Sequence, residues 1–272
     1  MSSLPIAGAA LTLDAYERHR TLMTEKPRDL ELQDFVNAEV LNGDWSPLVA
    51  RARKVLDGHT GRIGIHGPFW GMNIANPDPD IAAVVTRRLL QGLEVCEALG
   101  ATHMVVHSPY STWDDNNLDN YPRARERLIE RCHAIMAEPV KRAEAIGCEL
   151  VIENIEDKNP RDRVILADSF NSSAVAVSID TGHAHYAHGS TGAPPVDYYV
   201  RAAGNRLRHI HLQDADGYAD RHWSLGQGTI RWHAVFAALA ELTSEPRLII
   251  ELRNLDEVPA SIAWLQAQGL AQ

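Results

Sequence analysis

The chain has 272 residues, is 45% apolar and carries a formal net charge of −10 at pH 7. This length suits one large α/β domain or two small ones, and the apolar fraction is ample for a core. The negative charge disfavours a general affinity for nucleic acid, because phosphate contacts need clustered Lys and Arg.

No apolar run approaches the roughly 18 residues of a membrane span. Met1 to Ala10 also lack the basic start and long apolar segment of a secretory signal. We therefore expect a soluble, cytoplasmic protein with no membrane partner. The cysteines, Cys96, Cys132 and Cys148, are odd in number and share no short ligand spacing. They are expected to be reduced packing residues.

Apolar, β-capable segments alternate with helical patterns along the whole chain, which is typical of parallel βαβ units. We predict strands near residues 6–9, 30–34, 63–66, 103–107, 148–153, 176–180, 207–212 and 248–252. Between them we predict helices near residues 14–24, 47–56, 79–99, 123–146, 161–168, 195–202, 232–242 and 256–267. Asp78-Pro79 and Gly100 supply start and stop signals for the third helix.

Eight alternating units favour a (β/α)8 TIM barrel over a doubly wound open sheet. Metal-competent side chains end at least six of the predicted strands, and a closed ring of strand ends converges on one point. An open sheet presents such residues mainly at its switch point. Because no linker-like stretch interrupts the pattern, we predict a single barrel domain over residues 1–272.

The clearest sign of a site is the apolar run that ends in Asp180 and is followed by His183. Four strand-end residues form a mixed oxygen and nitrogen set suited to Mn²⁺, Co²⁺, Mg²⁺ or Zn²⁺, namely Glu153, Asp180, His211 and Glu251. Three carboxylates close together repel and raise one another's pKa unless a cation neutralises them. The sequence therefore predicts a metal centre formed by these four residues.

Five further residues could extend this centre: His66, His107, His183, Asp220 and His222. His66 and His107 follow neighbouring strands and could hold a further ion with Glu153, and the other three could hold another. Imidazole-rich sites of this kind favour zinc. Hydrogen bonding to substrate is the alternative role for all five.

Aromatic residues follow several strand ends. Trp70, Trp113 and Trp223 could stack on a sugar or a base, or could simply close the barrel mouth. The Gly226-Gln227-Gly228 stretch could bind phosphate or form a tight turn. Asp214 and Asp216 are expected to be solvated or to orient His211. The remaining histidines are interpreted as surface or packing residues: His19, His59, His103, His133, His185, His188, His209 and His233.

The chain resembles the xylose-isomerase-like TIM barrel superfamily, which contains sugar isomerases and epimerases, inosose dehydratases and endonuclease IV. The resemblance spans about His66 to Glu251. It rests on four segments: Glu153-Asn154, Asp180-Thr181-Gly182-His183, His209 to Asp214, and Asp220-Arg221-His222 followed by Leu225-Gly226-Gln227-Gly228.

The resemblance implies different chemistry in two branches. In the ketose epimerase branch, the four-residue set holds one divalent metal, Glu153 and Glu251 exchange the substrate proton, and His183 and Arg221 bind substrate hydroxyls. In the endonuclease IV branch, all nine positions hold a trinuclear zinc site. The segment after Glu153 departs from that branch, and the short loop between His211 and Asp220 lacks basic residues.

We therefore predict a divalent-metal-dependent isomerase or epimerase that acts on a small carbohydrate or polyol ketone through an enediolate. One ion of Mn²⁺, Zn²⁺ or Co²⁺ is expected. The alternatives are a trinuclear zinc phosphodiesterase, for which nucleic acid would be the substrate, a related sugar lyase or dehydratase, and a non-catalytic sugar-binding barrel. Neither the particular sugar nor the oligomeric state follows from the sequence.

Overall fold

A closed ring of parallel strands forms the centre of the protein. The computed structural model describes residues 4–272; residues 1–3, which begin the stretch considered for a secretory signal, lie outside the described residues. Each strand pairs in parallel with the next in the chain, and the last pairs with the first. The strands are β1 (Ala7–Leu11), β2 (Leu30–Leu32), β3 (Ile63–His66), β4 (His103–His107), β5 (Glu149–Glu153), β6 (Val175–Asp180), β7 (Leu207–Leu212) and β8 (Arg247–Ile250).

Helices connect the strands. They are α1 (Leu13–Arg18), α2 (Arg20–Thr24), α3 (Ala38–Asn42), α4 (Ser46–Val55), α5 (Pro79–Leu99), α6 (Thr112–Asn117), α7 (Ala124–Ile146), α8 (Pro160–Ser169), α9 (Thr181–Thr191), α10 (Val196–Ala203), α11 (Trp232–Leu239) and α12 (Val258–Ala267). Short 3-10 turns occupy Leu118–Asn120, Gly204–Arg206 and Leu255–Glu257. None of the helices within residues 4–272 combines the length and the apolarity needed to cross a membrane.

The predicted (β/α)8 barrel is confirmed. The bounds of β3, β4 and β7 match the prediction, and the bounds of the other strands differ from it by at most two residues. The helix predicted over residues 14–24 is divided into α1 and α2 at His19. Helices α3, α6 and α9 were not predicted from the sequence. In α9, glycines and histidines disrupt the apolar period, and the helix begins where the Asp180 side chain accepts a hydrogen bond from the His183 amide.

The strands are buried on both faces. Every residue of β1 and β6 is buried, as expected for parallel strands enclosed by helices. Cys96, Cys132 and Cys148 are buried and form no disulfide. They therefore pack as small apolar side chains, in agreement with the prediction.

The long helices α5 and α7 show how the outer layer is fixed. Asp78 caps α5 through the amides of Asp80 and Ile81, and Gly100 ends it in the left-handed conformation. Pro139 lies inside α7 and has no amide hydrogen for the carbonyl four residues earlier. That carbonyl, of Ile135, accepts a hydrogen bond of 2.9 Å from the Thr86 hydroxyl of α5. The proline thus frees an acceptor that joins the two helices.

Gly64 of β3 lies against the His103 imidazole of β4. A Cβ at Gly64 would lie 1.9 Å from His103 Cε1, whereas a Cβ at Gly43 would meet its nearest atom at 3.5 Å. We predict that Gly64→Ala lowers the free energy of unfolding by about 1–3 kcal/mol through overpacking. The matched Gly43→Ala should change it by less than about 1 kcal/mol. Urea denaturation of both variants measures the difference in the free energy of unfolding. Equal stabilities would contradict the close packing of Gly64 against the His103 ring.

Candidate metal centre

Four side chains from consecutive strands meet at the carboxyl-terminal rim of the barrel. Glu153 and Asp180 end β5 and β6, His211 is the penultimate residue of β7, and Glu251 directly follows β8. One potential ligand atom from each lies within 4.8 Å of the others. His211 Nδ1 is 2.8 Å from Glu153 Oε1 and 3.4 Å from Glu251 Oε2. The structure therefore brings together the four residues of the predicted core set.

Two carboxylate oxygens of this set lack a hydrogen-bond donor. Glu153 Oε2 and Asp180 Oδ2 are buried and have no hydrogen-bond partner within residues 4–272. Leaving a buried oxygen unsatisfied costs about 1–3 kcal/mol, and more for a charged group. A divalent cation would supply the missing partner, and the mixed imidazole and carboxylate donors suit Mn²⁺, Co²⁺ or Zn²⁺. The residues present therefore fit such an ion.

Imidazoles control the ionisation of Glu153. Burial raises the pKa of this carboxyl, but the charge of His211 and the hydrogen bond from its ring lower the pKa by more, so the net pKa lies well below its usual range. For His211, burial lowers the pKa, while Glu251, Glu31 and Glu153 raise it well above the usual value. Glu153 is consequently a carboxylate at neutral pH, the form that binds metal.

Asp180 behaves differently from Glu153. Burial raises its pKa to about 6, although His183 and His222 oppose the shift. Its Oδ1 accepts hydrogen bonds from the His183 amide at 2.7 Å and from Gln213 Nε2 at 3.1 Å. Only Oδ2 remains free to bind a cation, which would in turn favour the ionised form.

A second group of ligand candidates surrounds the free oxygen of Glu153. His66 Nε2 and His107 Nε2 lie 3.8 and 3.6 Å from Glu153 Oε2. The other ring nitrogen of His66, Nδ1, is 2.9 Å from the Gly67 carbonyl, so a proton there leaves the Nε2 lone pair facing Glu153. Burial lowers the pKa of His107 to about 3, which keeps this imidazole neutral. Phe69 packs against both rings, with centroid distances of 4.9 and 4.6 Å.

A third group surrounds Asp180. Potential ligand atoms of Asp180, His183 and His222 lie within 4.8 Å of one another. Asp220 Oδ1 is 3.5 Å from His183 Nε2 and 3.0 Å from His222 Nε2. The backbone of His222 is left-handed, with φ of 50°. The five outer candidates thus lie beside the core set, in two groups that share its carboxylates.

Gln213, for which no role was predicted from the sequence, organises the third group. Its Nε2 lies 3.1 Å from Asp180 Oδ1 and 3.2 Å from Asp220 Oδ1, and its Oε1 accepts from the His222 amide at 2.8 Å. A Cβ at Gly182 would lie 2.1 Å from Gln213 Cδ. The glycine in the Asp180-Thr181-Gly182-His183 segment therefore makes room for this amide.

A buried cluster inside the barrel was also missed. Glu31, His103 and His209 are fully buried and offer potential ligand atoms within 4.8 Å of one another. His103 and His209 had been interpreted as surface or packing residues, and the surface alternative is wrong for both. The feature of the sequence that could have indicated this cluster is the charged Glu31, which lies between Leu30 and Leu32 in a short apolar strand.

The expectation was wrong for Asp214, whereas Asp216 is partly exposed in the loop, in line with the solvated alternative. Asp214 is fully buried, and its carboxylate accepts hydrogen bonds from the amides of Gly226 and Ile230 and from the Trp232 indole. It holds the loop over residues 213–231 and does not contact His211. Asp216 pairs with Arg221 at 2.8 Å.

The predicted substrate-binding residues lie outside the ligand groups. Trp70 and Trp113 are 68% and 75% exposed. Trp70 packs on Phe69 with a centroid distance of 4.6 Å and so adjoins the second group. The Arg221 guanidinium, engaged by Asp216, lies 5.2 Å from the centroid of the Trp223 ring.

The Gly226-Gln227-Gly228 stretch follows Leu225 in a turn in which the Gln227 amide donates to the Ser224 carbonyl. Gly226 has φ of 85°. These contacts favour the tight-turn interpretation over phosphate binding.

A parallel barrel that presents carboxylates and imidazoles at the ends of its strands defines a class of TIM barrel proteins with a candidate metal centre at the mouth. The chain belongs to the xylose isomerase-like TIM barrel family, whose model matches residues 26–268. The family resemblance drawn from the sequence is thereby confirmed.

The chain is similar to relatives of two kinds. It is 29% identical to a probable endonuclease 4 of Symbiobacterium thermophilum, over 67% of this chain and 68% of that protein. It is 26% identical to D-psicose 3-epimerase of Ruminiclostridium cellulolyticum, over 68% of this chain but only 61% of the epimerase. A Thermus thermophilus protein, TTHB071, whose crystal was soaked with ZnCl2, has 25% identity, a TM-score of 0.68 and 96% coverage of both chains.

We predict that Asp214→Asn destabilises the protein by about 1–3 kcal/mol, because an amide nitrogen cannot accept from the buried donors that now meet the carboxylate. Asp216→Asn, which alters a half-buried pair with Arg221, should cost no more than about 1 kcal/mol. Chemical denaturation at pH 7 compares the two variants. Similar losses would show that the hydrogen bonds of the Asp214 carboxylate do not hold the loop.

Proposed function

We propose that the protein is a divalent-metal-dependent isomerase or epimerase that removes a proton next to the carbonyl of a small carbohydrate. The observation that carries this proposal is the convergence of Glu153, Asp180, His211 and Glu251, with two buried carboxylate oxygens left unpaired. When bound there, the cation would polarise the substrate carbonyl and stabilise the negative charge developing on its oxygen.

The two glutamates are the proposed acid and base. Glu153 is held as a carboxylate, mainly by His211, whose Nδ1 lies 2.8 Å from Oε1, so it has an oxygen that can accept a proton. Glu251 is held by Gln33, whose Nε2 lies 2.7 Å from Glu251 Oε1. This contact leaves Oε2 to face His211 and the centre. Both carboxylates are thus fixed in position before substrate binds.

The identity of the relatives supports a sugar substrate. D-psicose 3-epimerase is a sequence relative, and a D-tagatose 3-epimerase-like protein shares the fold with a TM-score of 0.78 at 18% identity, over 97% of this chain and 98% of that chain. Exposed Trp70 and Trp113 would offer ring faces to a sugar near the mouth. Arg221 and His183 are proposed to bind its hydroxyls. A lyase or dehydratase would begin with the same proton removal.

The second candidate is a trinuclear zinc phosphodiesterase. One observation favours this candidate. The second and third groups of ligand candidates adjoin Glu153 and Asp180, so three neighbouring ions could share these carboxylates. The endonuclease 4 relative and the zinc-soaked Thermus protein support this arrangement. Against it stand the net charge of −10 and the absence of Lys and Arg from residues 212–219. A DNA backbone would meet no basic group in that loop.

We predict that Glu153→Gln and Glu251→Gln each slow exchange of substrate hydrogen with deuterium from heavy water by at least about 100-fold, because each removes an acid-base group. The assay is mass spectrometry of candidate ketoses incubated with Mn²⁺-loaded enzyme. Glu149→Gln is the matched control, since Glu149 begins β5 at the end opposite Glu153 and pairs with Arg208.

Full exchange in either strand-end variant would refute its acid-base role. Sugar affinity without exchange or turnover in the wild-type protein would instead indicate a non-catalytic sugar-binding barrel.

Metal content separates the two catalytic candidates. For the isomerase we expect one tightly bound Mn²⁺ or Co²⁺ per chain and no cleavage of a DNA duplex that carries an abasic site. Inductively coupled plasma mass spectrometry and a gel assay measure these properties. About three zinc ions per chain, together with cleavage of the duplex, would establish the phosphodiesterase instead.

A further inference from the structure

A buried carboxylate lies directly beneath the candidate metal centre. Glu31, the middle residue of β2, is fully buried, and its Oε1 is 2.9 Å from His211 Nε2 on β7. Its Oε2 is 3.0 Å from His209 Nε2 and 3.3 Å from His103 Nε2. Strands β2, β4 and β7 are not neighbours in the ring, so these contacts cross the barrel interior.

Imidazoles compensate the buried negative charge of the Glu31 carboxylate. Within residues 4–272, its ion-pair partners at 4.0 Å or less are His103, His209 and His211, with no lysine or arginine among them. A carboxylate only accepts hydrogen bonds, and an unsatisfied buried charge is costly. Nε2 of His211 and Nε2 of His103 lie within hydrogen-bonding geometry of this carboxylate, so we expect each of these imidazoles to carry a hydrogen at Nε2. His209 Nε2 is close to Glu31 without hydrogen-bond geometry, and the hydrogen bond of this ring is the one between Nδ1 and the Ser178 hydroxyl, at 2.8 Å.

The hydrogen bond from His211 Nε2 to Glu31 determines which nitrogen of His211 can bind a metal ion. When a metal ion replaces the hydrogen on Nδ1, Nε2 keeps the hydrogen that it donates to Glu31, and the neutral imidazole presents its lone pair at Nδ1. That nitrogen faces Glu153 Oε1 at 2.8 Å and Glu251 Oε2 at 3.4 Å. A lone pair directed at two carboxylates is favourable only when a cation or a proton lies between them. The two nitrogens of His211 therefore face different layers of the barrel, with Glu31 below and the candidate metal centre above.

We propose that Glu31 is a positioning residue that holds His211 in the tautomer whose Nδ1 binds the metal ion. The inference rests on the proposed metal-dependent function and adds a residue to it. Carboxylates that accept the second N–H of a metal-binding histidine fix its ring orientation and raise its basicity as a ligand. Glu31 would also place a negative charge close to the cation without occupying a coordination position.

The interior is shaped to accommodate this carboxylate and its partners. Gly64 of β3 pairs with Glu31 in the sheet register, and the His103 ring occupies the space that a side chain at Gly64 would take. The rings of His103 and His209 lie 4.9 Å apart. An apolar residue at position 31 would leave the buried imidazoles of His103 and His211 without the acceptor that they meet at Nε2. Glu31, His103 and His209 therefore form a closely packed layer of the barrel interior.

The test compares Glu31→Gln with Glu149→Gln. Glutamine keeps the size of Glu31 but removes its charge. Glu149 lies on the same barrel, and its carboxylate pairs with Arg208 and forms no ion pair with a histidine within residues 4–272. The dissociation constant for Zn²⁺, measured by competition with a chromogenic chelator, should rise by about 10- to 100-fold in Glu31→Gln. It should remain unchanged in Glu149→Gln. Equal affinities in the two variants would overturn the role of Glu31.

A second measurement needs no substitution. In zinc-loaded wild-type protein with ¹⁵N-labelled histidine, His211 should show a protonated Nε2 and a metal-bound Nδ1. Coordination through Nε2, or an unprotonated Nε2, would overturn the inference even if the variants fail to fold. Failure of the wild-type protein to bind zinc, manganese or cobalt would overturn the proposed function itself. Wild-type metal binding that Glu31→Gln leaves intact would remove only the role of Glu31.

Discussion

Compensation of buried carboxylates by imidazoles is the interaction on which the barrel mouth depends. Glu31, Glu153 and Asp180 are almost wholly buried, and the ion-pair partners of all three are histidines. An imidazole can offer an N–H, a lone pair or a full positive charge according to its surroundings. It can therefore satisfy a carboxylate in one layer of the barrel and leave its other nitrogen free for a cation in the next layer, which a lysine or arginine cannot do.

Strand-end geometry explains why the core set could be predicted. Each member follows an apolar run, and the closed parallel barrel forces such ends to one rim, so residue type and position together indicate Glu153, Asp180, His211 and Glu251. The interior layer could not be predicted in this way. Glu31 and His211 are 180 residues apart in the chain, and no local pattern shows which inward-facing side chains meet across the ring.

Local structure was hardest to predict where tertiary contacts override propensity. Helix α9 contains glycines and histidines that form no apolar stripe. It nevertheless begins at Thr181, because Asp180 caps its first turn and Gly182 packs closely against Gln213. Asp214 follows a strand just as the ligand candidates do. It instead turns into the loop and binds three groups contributed by the chain twelve to eighteen residues later. Sequence position alone did not distinguish a ligand from a loop anchor.

Within a single carboxylate of the barrel mouth, one oxygen accepts hydrogen bonds from the protein and the other faces the candidate metal centre. This difference would restrict which cations could bind there. Asp180 Oδ1 is committed to the His183 amide and Gln213, and Glu251 Oε1 is committed to Gln33. Asp180 Oδ1 accepts two hydrogen bonds, so this side chain would offer a cation one oxygen, and the bond from Gln33 would weaken bidentate binding by Glu251. Calcium takes six to eight oxygens, often from bidentate carboxylates. An imidazole nitrogen with mainly single carboxylate oxygens would therefore suit smaller transition-metal ions of low coordination number better than calcium.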